Sequence, residues 1–140
     1  MLPAYRLKLR NLLIKHEGFK AVLTTDTTGH YFYGYGHDAS TPISTTAGGV
    51  ILDDDIQWHA THLPLAWPLF NSLSDARKCV LMDMSYNLGL QGLLEFKEML
   101  AALEAGNYDE AADQMLNSLW AKQVGDRAIE DADIMRNDEL

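Results

Sequence analysis

Cysteine is scarce in this sequence, because Cys79 is the only one among 140 residues. A single cysteine excludes an internal disulfide and a thiolate metal cluster, since both need more than one thiol. Free cysteines usually pack as small apolar side chains, so the sequence predicts a buried and unreactive thiol at this position.

Positive charge is also scarce. Eleven lysine and arginine residues stand against 20 aspartate and glutamate residues, which gives a formal net charge of −9. This excess of negative charge disfavours nucleic acid and anionic membrane surfaces as partners. We therefore expect no nucleic-acid partner.

The sequence has no long apolar run near its start. Lys8, Arg10 and Lys15 interrupt residues 1–20, so this segment lacks the apolar core of a signal peptide and cannot span a bilayer. We expect a protein that is made in a cytoplasm and is not inserted stably into a membrane. Its 140 residues, 47% of them hydrophobic and without repeats, match one globular domain, which we expect to be monomeric.

The hydrophobic pattern predicts an α+β protein that is mainly helical. Apolar residues at helical intervals predict a helix over residues 3–16, and aromatic residues with turn signals predict a β ribbon over residues 20–37. Residues 38–49 are polar and are expected to be irregular. Capping and stop residues predict five further helices, which begin near Asp53, Ser74, Leu93, Asn107 and Asp126.

These elements predict a single domain over residues 1–140 with two unequal lobes. The small β lobe covers about residues 17–52, and a linking helix follows over about residues 53–63. Residues 1–16 and 69–140 form the helical lobe. A cleft between two such lobes is a common place for a ligand.

Glu17 and Asp26 are acidic residues on neighbouring predicted elements, one at a helix end and one at the entry to a turn. Glycoside hydrolysis uses such a pair: one carboxyl group protonates the leaving oxygen, and the other activates water or attacks the anomeric carbon. A carboxyl group beside apolar side chains suits the acid role, and one in a polar turn stays ionised. The pair therefore indicates a glycosidase as one interpretation.

Both residues also have ordinary explanations. Glu17 can be a surface charge at a helix end, and Asp26 can stabilise an Asx-turn in the segment D-T-T-G. Spacing alone does not decide between these explanations and catalysis.

Two motifs carry a resemblance to a known family. The first reads E-G, then D-T-x-G, then G-x-G-H, formed by Glu17, Gly18, Asp26, Thr27, Gly29, Gly34, Gly36 and His37. The second comprises Ser72, Leu73, Asn87, Gly89, Trp120, Gln123, Arg127 and Ala128. In this order, with a helical segment between them, the motifs resemble the phage-type lysozymes, in particular the phage T4 lysozyme family.

The resemblance implies a two-lobed lysozyme-like fold. It implies hydrolysis of the β-1,4 bond between N-acetylmuramic acid and N-acetylglucosamine in bacterial peptidoglycan, with no cofactor or metal. Glu17 would be the general acid, Asp26 the base or water-orienting carboxylate, and Arg127 a charge partner that positions Glu17. Asn87 and Gln123 would contact the glycan. An endolysin of this kind would accumulate in the host cytoplasm and reach the wall through a separate membrane pore.

Phe32 departs from the family pattern. It stands where the family usually has a threonine that holds the attacking water, and a phenyl ring cannot replace that hydrogen bond. Phe32 is thus expected at the substrate groove without the family chemistry. The alternative function is a lysozyme-like fold that binds glycan or a protein partner and no longer cuts, and a tail-associated virion component is a third possibility.

Overall fold

The computed structural model describes residues 3–140, and this part of the chain is mainly helical with one small antiparallel sheet, which confirms the predicted α+β class. The helices are α1 (Ala4–Glu17), α2 (Thr45–Ala66), α3 (Asp75–Leu88), α4 (Leu90–Leu94), α5 (Lys97–Glu104), α6 (Tyr108–Leu116), α7 (Leu119–Val124) and α8 (Asp126–Asn137). The strands are β1 (Lys20–Thr25), β2 (Tyr31–Gly34) and β3 (His37–Asp38).

The chain divides into two compact units, and the division falls between Gly48 and Gly49. The first unit contains α1, the sheet and the first residues of α2. The second contains the rest of α2 and all later helices. Over residues 3–140, no helix is both long and apolar enough to cross a membrane.

The sheet of the first unit has the strand order β1-β2-β3 with antiparallel pairing throughout. Thr24 lies opposite Phe32, and Phe32 lies opposite Asp38. Residues directly opposite each other in an antiparallel sheet share a face. Thr24, Phe32 and Asp38 therefore form a row across one face of the sheet.

The hydrophobic core lies in the second unit. Helix α3 contributes Leu81 and Met84, both with 0% exposure, and α6 packs against α5 and α8. Other fully buried members are Leu63, Val80, Leu93, Met99, Met115 and Met135. Amphipathic helices are held mainly by such burial, so this core determines how α3 to α8 assemble.

Several predicted helix ends are confirmed by their hydrogen bonds. The Ser74 side chain accepts from the Arg77 N–H at the start of α3, and Asn107 accepts from the Glu110 N–H at the start of α6. Gly89 ends α3 with φ of +78°, a conformation that glycine adopts without steric cost. These ends follow from local side-chain chemistry, as the sequence predicted.

Two predicted boundaries are wrong. Helix α2 begins at Thr45 and not near Asp53, because the Ser44 hydroxyl accepts the Ala47 N–H at 3.1 Å and caps a helix within the segment expected to be irregular. The single helix predicted over residues 93–106 is broken between α4 and α5, because Phe96 takes a non-helical ψ of 58°.

Cys79 is exposed, which contradicts the predicted burial. The buried positions of α3 include Ala76, Val80 and Met84, which lie four residues apart on one face. Cys79 lies four residues after Asp75, on the side of the helix that faces solvent. Its place on the helix therefore overrides the general preference of cysteine for the interior.

Charge is divided unequally between the two parts of the chain. Residues 1–48 carry five lysines and arginines against three acidic residues, whereas residues 49–140 carry six against seventeen. The acidic character of the protein thus belongs to the helical unit.

We predict that Leu81→Ala lowers the free energy of unfolding by about 2–5 kcal/mol, because it leaves a cavity in the core. Leu65→Ala is the matched control, since Leu65 is 75% exposed, and it is expected to cost less than about 1 kcal/mol. Urea denaturation monitored by circular dichroism gives both values. Equal losses in the two variants would contradict the assignment of the core.

Candidate active site

Glu17 is the last residue of α1, and Gly18 ends the helix with φ of +67°. The Glu17 carboxyl group lies against Gly36, in the turn between β2 and β3. A Cβ atom at position 36 would lie 3.2 Å from Glu17 Oε2, and Gly36 has φ of +76°. Glycine is therefore needed at position 36 both for its backbone conformation and for the approach of this carboxyl group.

Asp26 follows β1 and is anchored through one carboxylate oxygen. Its Oδ1 accepts from the Thr28 hydroxyl at 2.6 Å, from the Thr28 N–H at 2.9 Å and from the His30 N–H at 3.1 Å. Its Oδ2 lies 3.9 Å from His30 Nδ1. The turn thus immobilises one oxygen of Asp26 and presents the other.

These hydrogen bonds favour the ionised form of Asp26, which aspartate already takes at neutral pH. Donation by the Thr28 hydroxyl, followed by the N–H groups of His30 and Thr28, lowers the pKa of Asp26 below its ordinary value. Asp26 is therefore ionised at neutral pH, and it also stabilises its own turn. The stabilisation of the turn by Asp26 is therefore compatible with a catalytic role for the same carboxylate.

Phe32 is half-buried in β2, between Thr24 and Asp38 on the same sheet face. Its ring meets the His30 ring edge to face, with centroids 6.2 Å apart. The Thr24 hydroxyl donates to the Val22 carbonyl at 3.1 Å. The Asp38 carboxylate accepts from the N–H and the hydroxyl of Ser40, and these bonds lower its pKa.

Arg127, in the second unit, forms a two-pronged ion pair with Asp83. Its Nε and Nη2 atoms donate to the two Asp83 carboxylate oxygens, each at 2.8 Å. This interaction raises the pKa of Arg127 and lowers that of Asp83. Sequence reasoning missed Asp83, because 44 residues separate the partners and no local pattern connects them.

A groove of about 530 Å³ lies on the second unit. Gln123 is exposed and lines it, whereas Asn87 accepts a hydrogen bond from the Trp120 indole N–H at 2.9 Å and so orients that buried ring. Sequence reasoning missed most of the lining residues, among them Leu88, Phe96, Gln114, Asn117 and Ser118. Exposed amides beside apolar side chains suit a polar ligand with apolar faces.

His59 and His62 have structural partners. His59 Nδ1 lies 2.8 Å from the Ser85 hydroxyl, and His62 Nδ1 lies 2.7 Å from the Trp58 carbonyl oxygen. In the part of the chain that the structure describes, no three His, Cys, Asp or Glu side chains are grouped as metal ligands.

Glu17, Asp26, Gly36 and Arg127 all lie within the part of the chain that matches a known family. A model of the phage lysozyme family matches residues 14–137. The chain belongs to the phage lysozyme family. As a family member, it is a glycoside hydrolase of the lysozyme type.

Several curated proteins are similar to this family member. A probable T4-type lysozyme of Dictyostelium discoideum is 23% identical, over 86% of this chain and 88% of its own length. The endolysin of Bacillus phage B103 is 33% identical, over 82% of this chain and 44% of that protein. The pre-baseplate central spike protein Gp5 of Enterobacteria phage T4 is 21% identical, over 87% of this chain and 26% of that protein.

We predict that Gly36→Ala reduces hydrolysis of cell-wall glycan about 10- to 100-fold more than Gly106→Ala does. Both changes place a Cβ at a positive φ, which costs roughly 1–2 kcal/mol, but only the Cβ at position 36 meets the Glu17 carboxyl group. Position 106, in the turn after α5, has open space and is the matched control. The measurement is the initial rate at the same fraction of folded protein, and equal rates would show that Gly36 does not position Glu17.

Proposed function

We propose that this chain is a muramidase that hydrolyses the β-1,4 bond between N-acetylmuramic acid and N-acetylglucosamine in bacterial peptidoglycan. Glu17 is the general acid that protonates the leaving oxygen. Asp26 is the base or water-orienting carboxylate. No cofactor takes part in this reaction.

The way Asp26 is held carries the proposal. Three hydrogen bonds fix its Oδ1 and keep the group ionised, while its Oδ2 is left to accept a hydrogen bond from water. A preorganised carboxylate of this kind is what activation of water on a sugar requires. The contact of Glu17 with Gly36 supports a defined position for the acid on the same unit.

The missing family threonine needs a substitute in this proposal. Thr24 and Asp38 flank Phe32 on the same sheet face. The Thr24 hydroxyl donates to the Val22 carbonyl, so towards water it is only a neutral acceptor, which is weaker than a carboxylate. Asp38 is ionised, and its bonds to Ser40 use one oxygen, Oδ1. We therefore assign the second oxygen of Asp38 the task of holding the attacking water next to Phe32.

The groove of the helical unit suits a glycan strand. Amide side chains such as Gln114, Asn117 and Gln123 can bond sugar hydroxyls and acetamido groups, while Phe96 offers an apolar surface. Arg127, which the resemblance implies as a charge partner of the acid, bonds the Asp83 carboxylate of its own unit. In the cell, we propose, the protein collects in the host cytoplasm and reaches the wall through a separate membrane pore.

A glycan-binding protein without catalysis is the second candidate, and Phe32 is the observation that favours it. Such a protein would keep the groove and lose the chemistry. The similarity to the T4 spike protein Gp5 supports a third candidate, a component of a virion assembly.

Glu17→Gln is expected to lower the clearing of outer-membrane-stripped cells at least about 100-fold, because the amide cannot donate an acidic proton. Sedimentation with purified peptidoglycan should be unchanged, since the side chain keeps its size. Glu139→Gln, at the exposed C-terminus, is the charge-matched control and should clear at the wild-type rate. A wild-type protein that sediments with the wall but never clears it would support the binding protein instead.

The kcat of Phe32→Thr is expected to be about 10- to 100-fold higher than that of Phe32→Val, because the two variants differ by the hydroxyl that can hold water. Valine has nearly the shape of threonine, so it controls for the loss of the phenyl ring. The comparison uses kcat from a soluble peptidoglycan assay. Identical kcat values would mean that a hydroxyl at position 32 has no catalytic role in this chain.

A further inference from the structure

Asp131 is a buried acidic residue that the proposed mechanism does not use. It lies one helical turn after Arg127 on α8 and is only 6% exposed. Within residues 3–140, its Oδ2 atom has no hydrogen-bond partner. An ionised carboxylate with a buried oxygen that has no partner is costly, so the protonation state of this group needs an explanation.

Helix α3, which carries Asp83, packs against α8, which carries Asp131, and a side-chain hydrogen bond between the two carboxyl groups shifts the pKa of each. An ionised carboxylate only accepts hydrogen bonds, so two of them cannot bond each other without a shared proton. Asp83 already accepts two short bonds from Arg127, which hold it in the ionised form. The proton therefore belongs to Asp131.

We propose that Asp131 is a positioning residue: its neutral carboxyl group donates a hydrogen bond to Asp83 and thereby holds the Asp83 carboxylate against Arg127. The effect on catalysis rests on the proposed function, because it acts through Arg127. The shared proton itself does not depend on that function.

The surrounding charges agree with this assignment. Burial comes first, and the hydrogen bond and charge of Asp83 on α3 come next; together they raise the pKa of Asp131 to about 8. On α8, the Arg127 guanidinium opposes the rise and Glu130 adds to it. Loss of the proton would place two negative charges against one guanidinium, and one of these charges, on Asp131, would be buried.

The pH dependence has a defined sign. The folded protein keeps the Asp131 proton up to about pH 8, whereas the unfolded chain loses it near the ordinary value of 3.8. The unfolded state therefore binds fewer protons between these limits, and stability falls as pH rises from about 4 to about 8. Above that range this contribution no longer changes.

Asp131→Asn tests the proposal, because the amide can still donate to Asp83 but cannot ionise. We expect the stability of this variant, measured by urea denaturation from pH 5 to pH 9, to rise relative to wild type up to about pH 8 and then to stay level. Asp133→Asn, at an exposed position of the same helix, should run parallel to wild type. Parallel curves for Asp131→Asn and wild type would overturn the proposal.

A second measurement needs no folded variant and no activity. In wild-type protein, the carboxyl carbon of Asp131 should titrate near pH 8 by nuclear magnetic resonance, and a midpoint near its ordinary value would overturn the proposal.

The positioning role is tested by kcat at pH 7. The kcat of Asp131→Asn should match that of wild type, whereas the kcat of Asp131→Ala should fall several-fold because alanine has no hydrogen-bond donor. If wild type cleaves no glycan while the titration is as expected, only the proposed function fails.

Discussion

The structure depends on the burial of helix faces around α3. Of the residues that the structure describes, all the buried apolar side chains lie between Leu63 and Met135. Residues 3–48 of the first unit, which carries Glu17 and Asp26, form no such core. Its site geometry instead comes from strand pairing, from the three bonds to Asp26 Oδ1 and from glycines that permit tight turns. The residues proposed for acid and base chemistry thus lie on the part of the chain ordered by hydrogen bonds.

Local signals made much of the fold predictable. Ser74, Asn107 and Gly89 act within a few residues of their own positions, so their effect could be inferred from sequence. The start of α2 could not be inferred in this way, because Ser44, which caps the helix, lies in a segment whose polar composition suggested a loop. The break at Phe96 separates α4, which packs against α3, from α5, which packs against α6, and no local pattern describes these contacts.

The site was predictable to a different degree. Glu17 and Asp26 belong to one short motif, and the structure gives each a defined setting. Arg127 was expected to be a charge partner of Glu17, and the carboxylate that it bonds in the structure is Asp83, on a helix far away in sequence. The spacing of Arg127 and Asp131, four residues on one helix, is an ordinary signal for an ion pair. This spacing does not reveal that the Arg127 guanidinium already donates two hydrogen bonds to Asp83.

The exposure of Cys79 has a consequence for how copies of this protein can be joined. An exposed thiol on α3 is open to oxidants and to thiols of other molecules. Since each chain has one cysteine, oxidation can join two copies through one disulfide, and no thiol then remains to bind a third copy. A covalent dimer is therefore the largest species that disulfide exchange among copies of this chain can produce.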